Sequence, residues 1–226
     1  MQLSLARRCV CELIGTYILV LIGCGAMVVQ AMSGELTHPG VAISWGLVVL
    51  TMIYAIGDLS GAHLNPAVSI AFASVGRFGK LDCVAYVLSQ CAGAILAAAC
   101  LRIALPPTDA LLGATMTQLP LAAAWATEFM MTAILMWVIM GVSTGAKEKS
   151  TTAGIAVGAT IAMEAMVAGP LTKASMNPAR SLGPALMAPL IDNLWLYITA
   201  PIAGAVVGGW AYRLLRSNDE DEQEAS

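Results

Sequence analysis

The sequence predicts an all-α membrane protein: six transmembrane helices plus two re-entrant half-helices, arranged as an inverted repeat. Three observations carry this. The 226 residues are 58% hydrophobic and only 11% charged, with a mean hydropathy of +0.79, whereas a soluble domain carries about 25% charged residues. Six apolar runs are long enough to cross a bilayer, each near the ~20 residues a membrane helix needs. A polar phrase, "SGAHLNPAVS" at 60–69, returns as "KASMNPARS" at 173–181.

The six runs are residues 10–31, 41–59, 82–104, 121–143, 151–170 and 193–215. The first follows Arg7-Arg8 and has no small-residue cleavage site, so it reads as a retained span. Two more apolar runs, 65–75 and 177–188, are too short to cross. With six crossings, Arg7, Arg8, Arg77, Lys80, Lys147, Lys149, Arg213 and Arg216 all fall on one side, which is eight of the eleven Lys and Arg. The excess of basic residues on the inner side of membrane proteins then puts both termini in the cytoplasm. The first Asn-Pro loop enters from inside and the second from outside. The end, "SNDEDEQEAS", holds five of the fourteen acids and reads as a short, solvated, disordered cytoplasmic tail over 217–226.

The halves match. Glu12 in "CELIGTYILVLI" corresponds to Glu128 in "TEFMMTAILMWVI"; Glu12 to Asn65 is 53 positions and Glu128 to Asn177 is 49. Three spans per half is an odd number, so the second half is upside down. One domain, 1–226, therefore divides into a first repeat over 8–110 and an inverted second repeat over 120–215. In such architectures sites lie at the midplane, where discontinuous helices meet.

Asn is among the best N-caps and Pro is preferred at the first helical position. Asn65-Pro66-Ala67 and Asn177-Pro178-Ala179 therefore start helices. Ten residues rise about 15 Å, so two half-helices end to end span the ~30 Å hydrocarbon core. The extended chain before each cap, Gly61-Ala62-His63 and Lys173-Ala174-Ser175, exposes carbonyls that are tolerable only against protein or a watery cavity. The cap uses the Asn amide oxygen, which leaves the NH2 as a donor toward that cavity. Two helix N-termini, each worth about half a positive charge, make the waist positive.

At these residues the chain resembles the major intrinsic protein family, the aquaporins and aquaglyceroporins, over residues 8–215. The resemblance implies a homotetramer in the plasma (inner) membrane. It also implies a passive channel for water and small neutral solutes, with no cofactor, no metal and no enzymatic activity. It further implies a selectivity filter of Trp45, Ala165, Ala174 and Arg180. This set departs from strict water channels, which place His where Ala165 stands. It is closest to the nodulin-26-like intrinsic proteins, whose wording is also found in "AGPLTKASMNPARS". The filter resembles those passing glycerol, urea and metalloid acids such as arsenous or boric acid. Ser181 and Ala185, however, stand where glycerol facilitators have Asp and Lys, which keeps a strict water channel open as the alternative. Tyr197-Ile198 is closer to the nodulin-like group.

Glu12 and Glu128 lie inside apolar helices, where an ionisable group is expensive and usually functional. A proton relay and an anchor for the loop backbone are the two readings; symmetry and the resemblance favour the anchor. Glu164 has no counterpart in the first half. About 100° per residue separates it from Ala165, so it points beside the pore, and its expected role is to bind the re-entrant loop or Lys173. His63 reads as a spacer and Lys173 as a vestibule charge. Gly154/Gly158 and Gly204/Gly208 read as small-residue seams for helix packing. The six cysteines, in or beside apolar segments, read as packing residues. A secondary transporter also uses inverted repeats, but an ion-coupled one would place acids at the site, where this chain places Arg180. A membrane enzyme would need a nucleophile–base pair or a metal cluster, and the spans offer neither.

Overall fold

The computed structural model describes residues 3–143 and 152–224; Lys147 and Lys149, the tail end 225–226 and the first residue of the 151–170 span lie outside them. The helices are α1 (Leu5–Ser33), α2 (Thr37–Ser60), α3 (Pro66–Ser74), α4 (Lys80–Ala104), α5 (Leu121–Val142), α6 (Ala153–Thr172), α7 (Pro178–Met187) and α8 (Leu194–Glu224), with a short 3-10 turn at Leu111–Gly113. Six of them are long and apolar enough to cross a membrane. The other two, α3 and α7, have nine and ten residues. They are the two half-helices. Large apolar side chains stand exposed on every long helix, among them Ile22, Ile43, Leu96, Met130, Val167 and Val207. A hydrocarbon surround accommodates such a surface, and water does not.

The tail differs from expectation. α8 continues helically to Glu224, because extending an existing helix adds one hydrogen bond for each residue fixed and needs no new nucleus.

The packing is two-fold. α1 packs on α4, α5 on α8, and α2 on α6 across the repeats. The half-helices are exchanged: α3 packs against α8 as well as α4, and α7 against α4 as well as α8. Glycine sets the closest approaches. A methyl group at Gly158 would sit 2.6 Å from the Gly46 carbonyl oxygen, and at Gly204 or Gly208 it would collide with the carbonyls of Phe129 and Ala133. The seams expected at Gly154/Gly158 and Gly204/Gly208 therefore join α6 to α2 and α8 to α5. Six described basic residues gather at one end of the bundle: Arg8 pairs with Asp82 at 2.7 Å, Arg77 reaches Ser143 and Arg213 donates to Val75 O, with Arg7, Lys80 and Arg216 alongside in sequence.

Both helices that lead into the loops end on a left-handed residue. α2 stops at Gly61 (φ +89°), whose N–H donates to Gly57 O. α6 stops at Lys173 (φ +68°), whose N–H donates to Gly169 O. A non-glycine residue pays about 1–2 kcal/mol for that conformation. Lys173→Gly is thus expected to stabilise the fold by about 1 kcal/mol, after glycine's own entropy cost. Thermal unfolding in detergent checks this; an unchanged or lower midpoint would show that the lysine side chain offsets the strain.

Candidate functional site

The two caps form as their residue types dictate. Asn65 is extended (φ −153°, ψ 118°) and its Oδ1 accepts from Ala67 N at 2.9 Å. Asn177 (φ −149°, ψ 109°) accepts from Ala179 N at 3.0 Å and Arg180 N at 3.2 Å. The expectation that each NH2 simply faces the cavity needs correction. Asn65 Nδ2 donates to Met176 O at 2.7 Å, and Asn177 Nδ2 donates to Leu64 O at 2.8 Å. Each amide gives one hydrogen to the opposite loop, because that loop's strained backbone leaves a carbonyl facing it. The second hydrogen remains for the cavity, which both asparagines line.

The loops are bent through left-handed positions: Ala62 (φ +47°) and Leu64 (+53°) in one, Ala174 (+46°) and Met176 (+53°) in the other. Such a backbone cannot hydrogen-bond to itself, so buried carboxylates complete it. Glu12, fully buried, accepts from Ser60 Oγ (2.8 Å), His63 N (3.0 Å), Leu64 N (2.7 Å) and Gln90 Nε2 (2.9 Å). Glu128, also fully buried, accepts from Thr172 Oγ1 (2.7 Å), Ser175 N (2.9 Å) and Met176 N (2.8 Å). This geometry is that of anchors. Gly61, Ala62, His63, Ala174 and Ser175 line the inner cavity, whereas Lys173 lines an outer one. The His63 ring stacks on Phe72, meets Phe78 and Tyr86 edge-on, and its Nδ1 lies 3.1 Å from Ser69 Oγ.

Sequence reasoning missed the supporting hydroxyls and Gln90. Ser60 and Thr172 each stand five positions before a motif Asn, and Ser69 and Ser181 four after; that matched offset was the available signal. Gln90 has none, since it lies on a distant helix.

The inner cavity, about 460 Å³, runs from Asp58, Ser143 and Ala153 at the basic end, past both asparagines, to Trp45, Ala165, Ala174 and Arg180. The outer one, about 370 Å³, shares Trp45 and Ala165 and adds Met27, His38, Asp109 and Lys173. Trp45 and Ala165 stand between the two cavities. Beside them Arg180 is 1% exposed. Its Nη1 donates to Gly113 O at 2.8 Å, its Nη2 lies 3.3 Å from Met27 Sδ, and it sits 4.7 Å from the Trp45 ring centre. Gly23 makes room for that indole, since a methyl group there would overlap it. Gly113 and Met27 carried no sequence signal.

Glu164 does not do what was expected of it. It is 2% exposed, and neither carboxylate oxygen has a hydrogen-bond partner among the described residues. It touches neither cavity. One residue's rotation from Ala165 turns it behind the pore wall, and among the described residues it makes no hydrogen bond to the loop or to Lys173.

A bundle of six membrane-crossing helices, around a cavity that the caps of both half-helices line, is a channel for small solutes. The family profile described as Major intrinsic protein matches residues 1–212. Aquaporin NIP1-1 of Oryza sativa subsp. japonica is 44% identical over 96% of this chain and 77% of its own length. Nodulin-26 of Glycine max is 41% identical over 97% and 82%. Among solved structures, the aquaglyceroporin from Plasmodium falciparum superposes with a TM-score of 0.84 at 26% identity, over 92% of this chain and 96% of the other. The chain belongs to the major intrinsic protein family: it is a multi-pass, passive membrane channel for water and small solutes, and not an enzyme.

Proposed function

We propose that this channel passes glycerol and similarly small neutral solutes, including urea and metalloid acids such as arsenous or boric acid, alongside water. Trp45, Ala165, Ala174 and Arg180 form its selectivity filter. One observation carries the reading: two alanines share the constriction with a Trp45 ring that stacks on Arg180. Methyl groups leave width, the indole offers an apolar wall for carbon-bound hydrogens, and the guanidinium offers donors to hydroxyl oxygens. The Asn-Pro-Ala helix ends and Arg180 keep cations and protons out through positive potential. The chain lies in the plasma (inner) membrane with both termini cytoplasmic, and the basic residues gathered at one end support that orientation. It assembles as a homotetramer, which crosslinking of the detergent-solubilised chain tests.

Side-by-side flux of water, glycerol, urea and arsenite through proteoliposomes tests the solute reading. Water flux with none of the others would support the strict water channel, the reading favoured by Ser181 and Ala185. Ala165→His is expected to lower glycerol flux more than water flux, since an imidazole fills the wide side of the gap. Equal loss of both would remove Ala165 from the filter.

A further inference from the structure

The two loop anchors are not equivalent. Glu12 Oε1 accepts from Ser60 and His63, and its Oε2 from Leu64 and Gln90. Glu128 Oε1 accepts from Thr172 and Ser175, but among the described residues its Oε2 accepts only from Met176. The register explains the missing donor. Gly93 meets Leu13 O and Gly204 meets Phe129 O in the same way, so the second-repeat counterpart of Gln90 is Pro201, which has no side-chain donor. The same register pairs Tyr86 with Tyr197. Tyr86 Oη donates to Ser60 O at 2.7 Å, but the buried Tyr197 Oη has no partner among the described residues.

Two unpartnered polar groups thus lie near an anchor one donor short. The helices that carry them, α6 for Glu164 and α8 for Tyr197, both pack against α5, which carries Glu128, and both groups lie within reach of the Glu128 charge. Two carboxylates in an apolar interior do not both stay ionised. Three donors favour the anion at Glu128, so the proton belongs on Glu164. Buried waters typically make about three hydrogen bonds to otherwise unsatisfied polar groups, and Glu164, Glu128 Oε2 and Tyr197 Oη supply three.

We propose that Glu164 is a positioning residue for the constriction: as a protonated carboxylic acid it closes, with Tyr197, a buried water-bridged network onto Glu128 Oε2. This network replaces Gln90 of the first repeat. Glu128 in turn holds the N–H groups of Ser175 and Met176, next to Ala174. The inference rests on the channel fold and not on which solute passes, so water flux and infrared spectra of the reconstituted full chain are its readouts.

The parent is expected to show the carbonyl stretch of a protonated carboxylic acid. That band disappears in Glu164→Gln and shifts in Tyr197→Phe. Glu164→Gln, which keeps a donor, holds water flux within about twofold of the parent, whereas Glu164→Met, which leaves Glu128 one donor short, lowers it severalfold. No protonated-acid band, a band that survives Glu164→Gln or ignores Tyr197→Phe, or equal flux in the Gln and Met variants would overturn the assignment. Where Glu164→Met does not fold, the band and its response to Tyr197→Phe decide alone.

Discussion

Arg180→Val channels reconstituted in liposomes are expected to conduct protons about tenfold faster than the parent, or more. Arg180 is 1% exposed, and its guanidinium is fixed by Gly113 O and Met27 Sδ and stacked on Trp45. A fixed unit charge about 4 Å from a passing cation raises its energy by about 4 kcal/mol at an effective dielectric of ~20. A third of that is already a factor of about ten in rate. Valine removes the charge and widens the gap, leaving the partial charges of the α3 and α7 N-termini as the remaining barrier. A pH-sensitive dye inside vesicles held at a fixed potential measures the leak. A variant as tight as the parent would remove Arg180 from the barrier.

Glu12→Leu is expected to prevent the chain from accumulating as a folded, monodisperse particle. Leucine fills a similar volume but orphans four donors at once: Ser60 Oγ, His63 N, Leu64 N and Gln90 Nε2. Each buried donor without an acceptor costs about 1–3 kcal/mol, against a total stability of roughly 5–15 kcal/mol for a typical protein. Glu12→Gln is expected to fall between, since it keeps one oxygen but turns an NH2 toward two donors. Size-exclusion profiles and melting in detergent separate the three chains. A parental melting point for Glu12→Leu would show that the loop stands without its anchor.

The fold was legible because its signals are local. Long apolar runs declare spans, and Asn-Pro declares a helix start wherever it falls. Glu12 and Glu128 were legible because a charge inside an apolar run needs a reason. What stayed hidden depends on residues brought together from afar. Gly113 O meets Arg180 across 67 positions and Met27 Sδ across 153; nothing near either residue announces it. Glu164 shows the limit from the other side. Its rotation off the pore wall was readable from its place beside Ala165, but its neighbours across the bundle were not, and the loop contact expected of it is absent among the described residues. The tail composition suggested disorder because composition does not register that α8 is already formed.

The crossed amides, Asn65 to Met176 O and Asn177 to Leu64 O, have a consequence for how the molecule comes into being. A chain is made from its N-terminus, so α3 is synthesised long before the carbonyl that its asparagine needs. The first loop therefore reaches its finished form only after α7 and α8 arrive, and the waist of the pore closes last. Because the bonds are reciprocal, the later segment depends equally on the earlier one. Residue i meeting j while j meets i is the contact pattern of a symmetric dimer: two half-length chains, one inverted, would satisfy the same bonds. In this protein the two copies are joined end to end, and the concentration of each partner for the other is fixed by the linker instead of by the membrane.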